Sequence, residues 1–195
     1  MSQDPFASLE TALALFDERT ATAFCATLSA RMLNNYRFYC EMTASGDLAR
    51  AETIMALVWE ALLTPASRID FSLQADKLQP IEEALEQQAP SFGVSLAQHA
   101  VMAMGICLET LASKRIGAAT EISRLSRHDV ENYIAVTDDS GDNSSDDHPL
   151  WQDEVDFQQE VVLRLQKGGG KETLKALKAL GHNGGVSNLG IATQE

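Results

Sequence analysis

The sequence predicts an all-α protein: a single-domain bundle of about seven helices around a buried central helix. Three observations point there. Apolar side chains recur at three- and four-residue spacing through most of the chain. No segment alternates with period two between hairpin turns, so strands are not expected. One stretch, Ser95–Ser113, is apolar nearly all round, the pattern of a helix at the centre of a bundle. A chain of 195 residues with 45% apolar content has material for one sizeable core.

The elements follow in order. Asp4-Pro5 is a helix-start signal, and Phe6, Leu9, Leu13 and Phe16 recur behind it at helical spacing. Thr20 or Thr22 can cap a second helix carrying Phe24, Leu28, Met32 and Tyr36, which stops before Ser45-Gly46. Asp47 begins a third, with Ile54, Leu57, Val58, Trp59 and Leu62 as its apolar face and Pro65 beyond its end. Residues 69–89 are more polar, and Pro80 is expected to divide them into two short helical pieces. After the apolar 95–113 stretch come helices over 118–136 and 150–165. Gly168-Gly169-Gly170 breaks the chain before a last amphipathic helix, Lys171–Leu180. Residues 138–149 read as a flexible acidic loop and 181–195 as a glycine-rich tail.

Composition narrows the function classes. The formal net charge of −13 argues against nucleic acid, which needs lysine and arginine against phosphate, and against anionic membrane surfaces. The opening Met1-Ser2-Gln3-Asp4-Pro5 is acidic and lacks the basic and apolar regions of a secretory signal. No run approaches the ~18 consecutive apolar residues of a membrane span. Cys25, Cys40 and Cys107 are widely spaced, form no C-x-x-C pair and read as free thiols in a reducing compartment. These features predict a soluble, cytoplasmic protein.

Lys167-Gly168-Gly169-Gly170-Lys171 lacks the first glycine and the Ser/Thr of a phosphate loop, since Leu165 and Glu172 stand at those positions. Aligning Gly141 with the glycine of a calcium loop puts Val136 at the first ligand position and Asp147 at the last, which removes the essential carboxylates. No Glu-x-x-His pair exists for a di-iron site, and His99 on the buried helix reads as a core histidine. No G-x-S-x-G elbow is present. The sequence therefore nominates no metal, no cofactor and no catalytic residue.

Two clusters remain. From Asp138 to Arg164 there are nine acidic residues and one basic, a net of −8. Asp146, Asp147, Asp153 and Glu154 sit where the dipole of the following helix favours anions. Asp138, Asp139, Asp142, Asp146 and Asp147 form a candidate acidic face for a basic partner protein, whose association would weaken with salt. The second cluster ends the second helix: Arg31, Asn34, Asn35, Tyr36 and Arg37, followed by Gly46-Asp47. Caps and a tyrosine-anchored turn account for much of it, and Arg31, Asn35, Tyr36 and Asp47 are kept as candidate binding residues.

These residues also resemble a family. Ala30-Arg31-Met32-Leu33-Asn34-Asn35-Tyr36, Gly46-Asp47 and Leu57-Val58-Trp59-Glu60 are similar to the YjaG-like bacterial proteins, domain of unknown function 416. The likeness continues through Ile69-Asp70-Phe71, Glu121-Ile122-Ser123 and His148-Pro149, then Trp151-Gln152-Asp153-Glu154 and the closing Ser187-Asn188-Leu189-Gly190-Ile191. Asn34 stands where the family pattern has proline, and the glycine runs at 168–170 and 184–185 depart from it. The resemblance implies a small, cytoplasmic, all-helical bacterial protein and carries over no activity. The resulting expectation is a non-enzymatic interaction or regulatory module; its alternative is a small-ligand binder or enzyme with an interhelical pocket near Arg31, Tyr36 and Asp47. Self-association is not readable from the sequence. The glycine-flanked Ser187–Ile191 segment, with two apolar side chains, is a candidate to pack back onto the bundle.

Overall fold

The structure is a computed structural model and describes residues 5–115, 117–137 and 148–192. Among these residues there are eight α-helices and no strand. The helices are α1 (Pro5–Leu13), α2 (Glu18–Thr43), α3 (Leu48–Leu63), α4 (Phe71–Glu86), α5 (Phe92–Ser113), α6 (Ala118–Thr137), α7 (Pro149–Lys167) and α8 (Lys171–His182). A 3-10 turn, Asn183–Gly185, and an isolated bridge between Val186 and Ala192 complete the described elements.

Local chemistry sets most helix starts. Side chains of Asp17, Asp47, Asp70 and Ser91 each accept the N–H three residues on, satisfying a donor that the first turn leaves free. The cap of α2 is therefore Asp17, upstream of Thr20 and Thr22. Thr22 lies inside the helix, donating to the Glu18 carbonyl and to Thr110. Phe16 lies beyond the end of α1 and meets Phe24 edge-on at 6.3 Å. Pro80 does not divide 69–89. The ring and the residue whose carbonyl it leaves without an N–H donor, Asp76, are both exposed, so the proline meets no packed neighbour that would force a break. The stripe Phe71, Gln74, Leu78, Ile81, Leu85 runs unbroken past the proline and buries one face of a single helix.

The core forms around two helices. α5 is buried as its apolar pattern predicts, apart from a stripe at Met102, Glu109 and neighbouring positions. α2 shares the centre with it, packing against α3, α5, α6, α7 and α8. From Thr22 to Tyr36 nearly every α2 side chain is buried, polar ones included. The two run antiparallel, with Thr22 bonded to Thr110 and the Ser29 hydroxyl donating to the Ala103 carbonyl at 3.0 Å. Ala23 and Ala26 on α2, with Ala100 and Ala103 on α5, are fully buried small residues that permit this close approach. On the far side of α2, Gly181 of α8 comes so close that a Cβ there would lie 2.6 Å from the Thr27 carbonyl oxygen. α4 covers α5, and α6 and α7 pair through Ser123–Gln158 and Ser126–Glu154. By length and composition α5 is the one described helix that could cross a membrane, and in this bundle most of it is buried.

Beyond α8 the chain turns back onto the bundle. Ser187, Asn188 and Leu189 are buried. The Ser187 hydroxyl accepts the N–H groups of Leu189 and Ile191, closing a turn in which Gly190 takes φ +72°.

Candidate functional site

Helix periodicity places Arg31 and Asn35 one turn apart on the face of α2 that meets α6, α7 and the C-terminal turn. The Arg31 guanidinium donates to Glu154 Oε2 at 2.9 Å and lies 4.0 Å above the Phe157 ring. Glu154 is fully buried, and its Oε1 takes two further donors, the Ser126 hydroxyl and the Gln158 amide, each at 2.6 Å. Gln158 in turn accepts from the Ser123 hydroxyl at 2.6 Å. Burial pushes the Glu154 carboxyl up and the Arg31 guanidinium down, and the charge of each partner offsets part of that in the other. With three donors on its two oxygens, the carboxylate is the form this seam is built to hold.

The seam ends in the C-terminal turn. Asn188 Nδ2 donates to the carbonyl and the hydroxyl of Ser126, at 3.3 and 3.1 Å. A backbone carbonyl can only accept, so the orientation of the Asn188 amide is fixed. Its Oδ1 then faces Asn35 and accepts from Asn35 Nδ2 at 2.9 Å. The Asn35 amide is oriented by the same chain of bonds, and its Oδ1 is left buried without a partner. An unsatisfied carbonyl of this kind costs about 1–3 kcal/mol.

Asn35 also lines a groove of about 590 Å³. One wall is the last turns of α2, with Phe38, Tyr39 and Met42; the opposite wall is the α4–α5 connection and the first turn of α5, from Gln88 to Leu96. Tyr133 of α6 and Ile191 of the C-terminal turn close it. Phe38 is 36% exposed and Met42 69% exposed, large apolar side chains held at the surface. Among the described residues no acid, base or thiol lines the groove, and the ionisable groups there are the two tyrosines.

The sequence-predicted residues separate. Tyr36 and Asp47 do meet: the Asp47 N–H donates to the Tyr36 phenol at 2.9 Å, and both line a smaller recess of about 300 Å³ beside Pro80 and Ile81. Gly46, at φ +97°, allows that turn, since a Cβ there would press on Cys40 Sγ and the Tyr36 hydroxyl. Burial pushes the Tyr36 phenol well up, so it is a neutral anchor. Asp47 caps α3 and pairs with Arg50 at 3.1 Å. Arg31 lies in the seam rather than at this recess, because five residues along a helix turn a side chain about 140° away. Asp138, Asp139, Asp142, Asp146 and Asp147 lie outside the described residues.

His99 accompanies a buried acid, with Nδ1 2.5 Å from Asp129 Oδ1, and the Asp129 Oδ2 has no partner. The hydrogen bond to Asp129 raises His99, against the opposing effect of burial. Among the described residues no three His, Cys, Asp or Glu side chains gather where a metal ion could sit. The groove itself was not legible in the sequence. Its one signal was Phe38 and Met42, four residues apart and off the Phe24–Leu28–Met32–Tyr36 stripe that serves the core.

Fold and site together define an all-helical bundle with a buried polar seam and an adjoining apolar groove. The chain belongs to the family described as "Protein of unknown function (DUF416)", whose model matches residues 8–192. It is 28% identical over 180 residues to the uncharacterized protein YjaG of Escherichia coli K12, covering 88% of this chain and 90% of that one. An uncharacterized protein of Haemophilus influenzae is 30% identical over 174 residues, covering 86% and 88%. Among solved structures, a DUF416 family protein from Shewanella baltica superposes with a TM-score of 0.81 at 25% identity, covering 94% of this chain and 98% of that one.

Proposed function

We propose that this protein is a non-enzymatic binding module whose recognition site is the groove between the end of α2 and the start of α5. The observation that carries the reading is the groove's lining: aromatic and aliphatic walls, two of them surface-exposed, around a volume large enough for a small molecule or a few side chains. The same lining speaks against catalysis there, because nucleophilic and acid–base steps need a titratable group poised near neutral pH. The Arg31–Glu154 seam holds ionisable groups, but they are buried against one another and serve the packing of four segments.

The test is occlusion. Gly93 lines the groove and a Cβ there would meet nothing within 4 Å, so Gly93→Trp can set an indole at the groove without a clash against the core. The wild-type protein should bind an uncharged environment-sensitive dye such as Nile red, and the variant should lose that binding while melting at the same temperature. Equal dye binding by the two proteins would remove the groove as the site.

A further inference from the structure

Tyr39 and Gln88 line both the groove of about 590 Å³ and the smaller recess of about 300 Å³, so the two hollows adjoin along the last turns of α2. The larger is walled by hydrocarbon and aromatic rings. The smaller has hydrocarbon from Pro80, Ile81 and Leu85, with Asp47 and Arg50 of the α3 start beside it. A ligand occupying both is apolar over most of its length and charged at one end. The polar groups there set the sign of that charge. Tyr39 is 8% exposed, and its ring is fixed by stacking on Tyr36, with centroids 6.3 Å apart and planes at 15°. Its hydroxyl makes no hydrogen bond among the described residues, yet it is not an enclosed atom and keeps accessible surface where the residue lines the hollows. A hydroxyl so placed calls for a partner from outside the chain. Arg50 approaches Asp47 Oδ2 through Nε at 3.1 Å, but among the described residues none of its side-chain N–H groups is hydrogen-bonded. Asp47 is occupied, with Oδ1 accepting the Arg50 backbone N–H and Oδ2 against Nε. The recess therefore has donors to spare, a phenol O–H and a planar guanidinium fork, which together are the complement of a carboxylate. Among the described residues no other charged side chain lines either hollow.

We infer that one fatty-acid-type ligand spans the two hollows, its carboxylate held in the smaller recess by the Tyr39 hydroxyl and the Arg50 guanidinium, its unbranched alkyl chain passing over Tyr39 into the larger groove. The inference rests on the groove reading above and adds the ligand class to it. An alkyl chain suits two adjoining hollows, each of which a compact aromatic acid would fill singly. The wall of Phe38, Met42 and Ile191 asks no directional partner of the chain. Both head-group donors are accessible in the free protein, so binding needs no rearrangement of the core.

The experiment titrates the full chain by calorimetry with decanoate below its micellar concentration, alongside the dye. Decanol keeps the chain and removes the charge; butanoate keeps the head and removes most of the chain. Decanoate should bind, and decanol and butanoate should each bind about tenfold or more weakly. Tyr39→Phe removes a hydroxyl that no described residue uses, and Arg50→Gln removes the charge. Each should weaken decanoate about tenfold while leaving Nile red binding unchanged, and Gly93→Trp should abolish both. Decanol binding as tightly as decanoate, or wild-type decanoate affinity in either head-group variant, removes the carboxylate from the recess. Butanoate binding as tightly as decanoate, or undiminished decanoate binding in Gly93→Trp, removes the chain from the groove. Dye binding that Gly93→Trp abolishes, with no decanoate binding, ends this inference and leaves the groove standing as the site. If neither dye nor decanoate binds, both readings fall.

Discussion

Glu154 is the residue on which most depends, because it joins α2, α6 and α7 through a charge that has no access to water. Glu154→Gln keeps the size and some of the hydrogen bonds but leaves the Arg31 guanidinium buried without its counter-charge. Breaking a buried pair from one side costs about 3–5 kcal/mol, whereas an apolar replacement of both partners is often neutral. Urea denaturation should therefore show a large loss for Glu154→Gln and substantial recovery in Arg31→Met combined with Glu154→Met. Equal stability of wild type and Glu154→Gln would mean that the pair is not charged. His99 gives a pH dependence. Its pKa is raised above the ordinary 6.5 by the hydrogen bond to Asp129, so its contribution is fully present below that value and is lost as pH rises through the folded value. Burial raises Asp129 as well, which acts in the same direction, since its carboxylate is then disfavoured as pH rises. His128, with its ring centroid 5.9 Å from that of His99, Glu154, whose charge acts on Asp129, and Glu82 and Glu86 across the neighbouring recess are titratable groups nearby. Denaturant titrations between about pH 6 and 8 should show stability falling with pH in the wild type and a flatter profile in Asp129→Asn. A wild-type profile that is flat or rising would refute this.

Among elements, Gly181 shows how tightly α8 is seated on α2. An added methyl would meet the Thr27 carbonyl at 2.6 Å and the Ala30 Cβ at 3.2 Å, backbone and a short side chain that cannot swing away. Gly181→Ala should cost about 1–3 kcal/mol by overpacking, against the gain that alanine normally brings within a helix. Thermal unfolding of the variant at or above the wild-type midpoint would show that α8 can simply lift. Most helices were legible because their apolar residues keep one face, as 54, 58 and 62 do in α3; α4 was an exception, because Pro80 pointed to a break that the continuous stripe of 71, 78, 81 and 85 does not show. The central role of α2 was not, because its buried positions include Thr22, Thr27, Ser29, Arg31, Asn34 and Asn35. Polar residues are buried only where partners satisfy them, and Arg31 finds its partner 123 residues away. The groove was hidden for the same reason, since its walls come from α2, the start of α5, α6 and the C-terminal turn.

At the scale of the whole molecule the C-terminal turn unites seam and groove. Asn188 plugs the seam from one side, Leu189 is 3% exposed against the core, and Ile191 is part of the groove wall. A chain ending at Val186 would lose the burial of Leu189, about 2 kcal/mol. It would also lose the hydrogen bonds of Asn188, about 1 kcal/mol each, and open Ser126 and Asn35 to water. Helix formation itself does not need the turn, because α2, α6 and α7 pack on one another through their own faces. The truncated protein should therefore keep its helical circular dichroism but melt at lower temperature, with faster amide hydrogen exchange around residues 33–36 and 123–127 while α3 and α4 change little. It should also bind the groove dye more weakly, since one wall is gone. Asn188→Ala, which retains Leu189 and Ile191, should reproduce the faster exchange near the seam while leaving dye binding largely intact. If the two variants instead behave alike in both measurements, the turn acts as a single cooperative latch whose loss opens seam and groove together.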